Sequence, residues 1–212
     1  LSAILASNLP HTGALITALQ LVLAGAITKS ALVPFHFWLP GAMAAPTPVS
    51  AYLHAASMVK AGVYLVLRLA PGFGDVPGFR EVLIVLGIWT MLVGGWRSLR
   101  QVDLKLVLAF GTVSQLGFLM VVSGFGGRDA LLAALAMLLA HALFKAALFL
   151  CVGAIDHRAG TRDMRKLSGV GAQQPVLATV AIISAASMAG IIPLWGFVAK
   201  EAVFSAFIQG AS

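Results

Sequence analysis

Seven ionisable side chains lie in stretches of this sequence that otherwise read as hydrocarbon: Lys29, His54, Lys60, His141, Lys145, Lys200 and Glu201. Amines and imidazoles are bases that take up and release protons. A low dielectric disfavours the charged form of an amine, so a buried lysine serves as a proton carrier rather than a fixed charge, and histidine titrates near neutrality without help. His141 and Lys145 stand four residues apart, which on a helix gives them one face and lets a proton pass directly or through one water. Lys60 and Lys145 fall near the middle of their apolar stretches. A lysine there costs about 2.5–3.5 kcal/mol to insert, and snorkelling does not easily relieve it. Lys29 and Lys200 come within snorkelling reach of an end only if the bounds of their segments shift by a turn. Taken together, the four lysines favour a row of proton-exchanging groups over isolated structural charges. Glu201 is the only carboxylate inside these stretches rather than at their first residues, and buried cations without counter-ions are unstable. A further carboxylate is therefore expected from a helix outside this sequence.

Other chemistries find less support. His36, His54, His141 and Asp156 do not fall at the H-x-x-x-H or H-E-x-x-H spacing that puts metal ligands on one helix face. Ser114 and Ser187 lack the histidine and carboxylate context of a nucleophile. Gly124, Gly126 and Gly127 are followed by no lysine–serine pair and read as a turn rather than a phosphate loop. The single cysteine, Cys151, sits in an apolar run and reads as a small packed side chain. No metal, cofactor or covalent chemistry is expected.

The elements that must position these groups follow from composition. With 60% apolar residues, 10% charged residues and a mean hydropathy of +0.98 over 212 positions, the chain cannot cover a water-facing surface with polar groups. No strict polar/apolar alternation marks a barrel, so the expected class is all-α and polytopic. Glycine, proline and charge punctuation divides the chain into membrane segments at 13–44, 48–70, 81–98, 103–124, 128–155 and 174–209. The first and last, at about 32 and 36 residues, would run ~48 and ~54 Å as straight helices, against a hydrocarbon thickness of ~30 Å. Pro34 and Pro40 interrupt the first and Pro193 the last, which predicts two broken helices whose open backbone must line protein or a water-filled cavity. The net charge of +7 would suggest nucleic acid in a soluble domain; here topology accounts for the loop cations. Arg97, Arg100, Lys105, Arg158, Arg162, Arg165 and Lys166 flank two connections of one parity, against Arg68, Arg80 and Arg128 on the other. Seven against three places the 97–105 and 156–173 loops in the cytoplasm. The chain opens at Leu1 without a charged leader, so it is expected to be a piece of a longer protein.

The run TKSALVPFHFWLPGAMAAPTPVSAYLHAASMVKAGVYLVLRL at 28–69 resembles the signature region of antiporter-like membrane subunits, shared by Mrp-type Na+/H+ antiporters, respiratory complex I and membrane-bound hydrogenases. LLAHALFKAALF at 138–149 and SMAGIIPLWGFVAKEAVF at 187–204 resemble the same family in the same order, and DHRAGTRDMRKLSG at 156–169 looks most like the large Mrp A subunit. The resemblance implies a bundle of two inverted five-helix repeats, each with one broken helix, of which 1–70 would end the first and 81–212 supply most of the second. It implies that Lys29 and Lys200 are the equivalent lysines of the two broken helices, that His54 and Lys60 belong to the connecting axis, and that His141 and Lys145 lead towards Lys200. It also implies a glutamate on an earlier helix paired with Lys29, and partners in a hetero-oligomeric membrane complex. The function implied is proton translocation in a cation/proton antiporter of the cell membrane. The rivals are a redox-driven pump of the complex I or hydrogenase kind and a non-transporting membrane scaffold.

Overall fold

The computed structural model describes residues 12–56 and 58–210. The first eleven residues of the expected 1–70 unit lie outside the described residues. Ten α-helices and four short tight or wide turns make up the described chain, with no strand among the described residues. Helix α1 runs Gly13–Lys29, opened by Thr12, whose side chain accepts from the Leu15 N–H. After a break come a 3₁₀ turn Phe35–Phe37, the single helical turn α2 (Trp38–Gly41) and a second 3₁₀ turn Ala42–Ala44. Helix α3 (Thr47–Ala51) passes through a π turn, Tyr52–Ala56, towards α4 (Lys60–Phe73). Next are α5 (Phe79–Leu99), α6 (Leu104–Phe125) and α7 (Arg128–Ala159). Finally a 3₁₀ turn Met164–Lys166 and the short α8 (Val170–Gln173) lead to α9 (Pro175–Ala189) and α10 (Trp195–Gly210).

Four spans are long and apolar enough to cross a membrane: Thr47–Phe73, Phe79–Leu99, Leu104–Phe125 and Arg128–Ala159. Helices α1 and α9 are shorter apolar pieces, each ending at a break. The 32 residues of α7 rise ~48 Å, so its last turns extend beyond the hydrocarbon. The 128–155 segment therefore continues four residues further than its apolar pattern, until Gly160 at φ 64 closes it in the left-handed conformation.

Helix α7 is the hub: α3, the π turn, α4, α6, α9 and α10 all pack on it. Helices α5 and α6 form the tightest pair, because glycines face one another across it. A Cβ on Gly117 would come within 2.6 Å of the Gly87 carbonyl oxygen, and one on Gly94 within 2.5 Å of the Ser114 nitrogen. Small residues allow such backbone approach where lipid gives no hydrophobic drive to association. The main core joins α1, α4, α5, α6, α7 and α10 through Leu23, Val63, Leu83, Leu116, Met137 and Val203.

The two overlong segments do break. The first stops at Lys29, and Ala31 takes φ 52, a left-handed conformation uncommon for a side chain with a Cβ. Backbone groups freed there find specific partners: the Val33 N–H donates to Thr90 Oγ1 at 2.9 Å, Trp38 Nε1 to the Thr28 carbonyl at 3.1 Å, and Ser30 Oγ to the Val59 carbonyl at 2.9 Å. Beyond this break the segment does not resume as one helix, because Pro34, Pro40 and Pro46 each remove a backbone donor. The second break begins at Gly190, φ 86, and α10 restarts at Trp195 with the Gly196 N–H donating to Ser187 Oγ at 3.2 Å. Pro34 and Pro193 each follow a cis peptide bond at their break, whereas Pro40 lies inside α2.

Candidate functional site

The hub helix brings most of the candidate residues together. His141 and Lys145 are on its middle turns, both fully buried, and one face carries both as their spacing requires. Lys145 Nζ donates to the Leu108 carbonyl of α6 at 2.9 Å. Space for the ammonium comes from Gly111, where a Cβ would lie 3.0 Å from Nζ. His54 enters from the π turn that packs on α7; it is fully buried and stacks on Phe149, with ring centroids 4.9 Å apart. The π turn re-aims His54 towards α7, as such bulges do at functional positions. Lys60 opens α4, is 6% exposed, and donates to the Ala55 carbonyl. The π turn that carries His54 and the helix that Lys60 opens both pack on α7, so the four groups gather around one helix.

Neither imidazole has a hydrogen-bond partner: both ring nitrogens of His54 and both of His141 are buried and unbonded among the described residues. Buried polar atoms are otherwise almost always paired, so each ring offers one N–H donor and one acceptor nitrogen that no described residue takes up. The helix beside them is held close to α1. A Cβ on Gly62 would lie 2.3 Å from both the Ala26 carbonyl oxygen and Ser30 Oγ.

Other candidates lie apart. Lys29 ends α1 on an exposed face, and no described residue pairs with it. Lys29 precedes its break, while Lys200 follows its own by about a turn and a half. Lys200 Nζ donates to the Met188 and Ala189 carbonyls at 2.9 and 2.8 Å, at the C-terminal end of α9, where a positive charge meets the negative end of the helix dipole. Glu201 is exposed beside it and shares with Lys200 a cavity of about 480 Å³. His36 sits half-buried in the first break with both ring nitrogens unbonded.

One residue was missed from the sequence. Lys105, counted there among loop cations, is 1% exposed and donates to the Met43 and Ala45 carbonyls at 3.1 and 2.7 Å. It ties the start of α6 to the far end of the first broken segment. A signal was present: Asp103 caps α6 through the Lys105 and Leu106 N–H groups, which puts Lys105 inside a helix rather than before it. Removing it leaves six loop cations against three, so the charge asymmetry keeps its sign. The two cation-rich loops share one end of the bundle. Asp103 and Asp163 form a backbone bridge, the Leu104 N–H donates to the Arg162 carbonyl at 3.1 Å, and Arg162 faces Asp103 and Asp156 at 3.4 and 3.9 Å.

Both the sequence and the fold have known relatives. Residues 1–212 match the family described as NADH:quinone oxidoreductase/Mrp antiporter, TM. The chain is 50% identical over 206 residues to the A subunit of a Na(+)/H(+) antiporter from Alkalihalophilus pseudofirmus, covering 91% of this chain and 26% of the relative. It is 47% identical over 214 residues to the A/B subunit of a probable K(+)/H(+) antiporter from Rhizobium meliloti, covering 99% of this chain and 21% of the relative. The fold superposes on a chain of the Mrp complex from Dietzia sp. DQ12-45-1b with a TM-score of 0.84 at 49% identity, over 88% of this chain and 21% of that one. It also superposes on a chain of an archaeal membrane-bound sulfane sulfur reductase, with a TM-score of 0.81 at 26% identity, over 87% and 38%. The chain thus spans about a quarter of the length of the curated relatives it matches. A buried lysine–histidine cluster on a hub helix between two breaks, in a sequence matched along its whole length, makes this chain a multi-pass membrane member of the NADH:quinone oxidoreductase/Mrp antiporter family, similar to Mrp A subunits.

Proposed function

We propose that this chain is the proton-translocating part of the large A-type polypeptide of a hetero-oligomeric cation/proton antiporter. Protons are relayed near the membrane midplane along Lys29, His54, Lys60, His141, Lys145 and Lys200, with Glu201 as a late carboxylate partner. The observation that carries this reading is the central cluster: two fully buried imidazoles whose ring nitrogens no described residue pairs, on elements that pack together with those of the buried Lys60 and Lys145. A dry scaffold would be expected to pair those nitrogens. Such interacting groups titrate as a set, so protonating one shifts its neighbours and moves charge along the row. The exposed Lys29 meets its carboxylate on a helix outside this sequence, as the absence of an acid beside it among the described residues suggests. Residues 1–70 and 81–212 belong to successive inverted repeats, and the names of the relatives support Na+ or K+ as the exchanged cation. Other membrane subunits complete the complex. The 97–105 and 156–173 loops face the cytoplasm.

Lys145→Ala, in an assembled complex at normal expression, should abolish proton-coupled cation transport in vesicles; full activity would sink the relay. The superposition on a respiratory sulfane sulfur reductase supports a second reading, in which the same relay is driven by electron transfer elsewhere. Cation-driven proton flux in vesicles without an electron donor favours the antiporter; flux that requires the donor favours the redox pump.

A further inference from the structure

Lys145 and Lys200 bond to different carbonyls, and α6 presents groups to both. Its Leu108 carbonyl holds Lys145 Nζ, and Gly111, one turn on, makes room for that ammonium. One further turn brings Ser114 and Gln115, which line the 480 Å³ cavity that also contains Lys200 and Glu201. From Leu108 to Gln115 is seven residues, two turns, or ~10 Å along the axis, too far for one hydrogen bond and suited to a short file of water.

The cavity has polar groups from both α6 and α10. Gln115 Oε1 is buried and accepts no hydrogen bond among the described residues. Ser114 Oγ donates to the Met91 carbonyl at 2.9 Å, which leaves its lone pairs free. An ammonium has three donors; Lys200 spends two on the Met188 and Ala189 carbonyls and keeps one. Met91, Phe118, Phe197 and Phe204 wall the remainder. A buried water requires two to four polar partners, and Gln115 Oε1, Ser114 Oγ, the third Lys200 N–H and the Glu201 carboxylate supply them.

We infer that Gln115, assisted by Ser114, is a positioning residue that holds the file of water bridging Lys145 to Lys200. The amide oxygen orients the file so that a proton leaving Lys145 is delivered to Lys200 and then to Glu201. This inference rests on the relay proposed above.

The test compares variants of the full assembled complex in vesicles, with rates normalised to the amount of assembled complex. Gln115→Met keeps length and volume and removes the acceptor. It should lower the maximal rate of cation-driven proton flux about tenfold or more, with the half-saturating Na+ or K+ concentration unchanged. Gln115→Glu restores an acceptor oxygen and should recover most of the rate with a displaced pH optimum. Gly111→Ala places a methyl 3.0 Å from Lys145 Nζ at the other end of the bridge and should slow flux several-fold; it carries the test if Gln115→Met does not assemble. Wild-type rates in Gln115→Met, or in Gly111→Ala where that variant stands in, overturn the inference, as does a Gln115→Glu complex as slow as Gln115→Met. Lys145→Ala and Lys200→Ala serve as controls. If both stay active, the relay itself fails; if both are inactive while Gln115→Met is normal, only the bridge fails.

Discussion

At the level of single residues, what was legible was the cost of a charge in hydrocarbon, and what was hidden was any role set by a distant segment. His141 and Lys145 announce themselves by spacing alone, and the structure places both on the buried face of one helix. Lys105 does not, because its partners, the Met43 and Ala45 carbonyls, lie about sixty residues away and belong to a stretch with no helical period. Its role is to satisfy two carbonyls that three prolines and a break leave without helical donors. Lys105→Met, similar in reach but without donors, should strand them and cost about 1–3 kcal/mol. A thermal-unfolding midpoint of the purified complex lowered by several degrees would fit; an unchanged midpoint would show that other donors replace the ammonium. His54 and His141 show the opposite case: no described residue pairs their ring nitrogens, whereas Lys105 bonds two carbonyls.

Element boundaries follow from caps and breakers that can be read locally. Asp103, Gly160, Pro175 and Gly190 each stand at a helix end, and the six expected segments match the helices to within a few residues. The interior of the first break was not legible, since glycine and proline say that a helix stops but not that 3₁₀ turns, one helical turn and a π turn follow before Lys60. Those shapes depend on tertiary hydrogen bonds from Thr90, Ser30 and Trp38. At the other end of the bundle the Met164–Lys166 turn is governed by local charge. Asp163 caps it through the Arg165 N–H and pairs with the Arg165 guanidinium at 2.7 Å. These hydrogen bonds pull the Asp163 carboxyl down from 3.8 to about 2. A carboxyl depressed in the folded state stabilises above its ordinary value and loses that contribution as pH falls through the folded one. Hydrogen exchange of the loop, corrected for intrinsic rates, should therefore stay protected from neutral pH to about 4 and loosen only between there and about 2. Loosening that begins near pH 6 would assign the loop's order to some other group. Asp163→Asn should be loosened throughout.

For the whole molecule, the arrangement has a hub helix and two breaks. Helix α7 carries the central pair, the breaks stand to either side, and α6 runs between Lys145 and the Lys200 cavity. Fold class was legible because a chain this apolar has few ways to satisfy its backbone. The separation of Lys29 from the central cluster was not, since spacing along the chain does not say which way a helix end faces. Sidedness follows from combining scales. The parity of the spans and the loop cations suggests that 97–105 and 156–173 share a compartment, and the Asp103–Asp163 bridge with the Arg162 ion pairs joins those loops physically. The 74–78 connection, with Asp75 paired to Arg80 at 3.1 Å, lies at the other end of α5. Cysteine placed singly at Arg100 or Arg165 in intact complexes should react with a membrane-impermeant maleimide in everted vesicles and be protected in right-side-out ones. Cysteine at Asp75 should show the reverse. Labelling of Arg165→Cys and Asp75→Cys from the same side would break the span count itself. Consistent but inverted labelling would leave the fold intact and reverse the assignment of the cytoplasmic face.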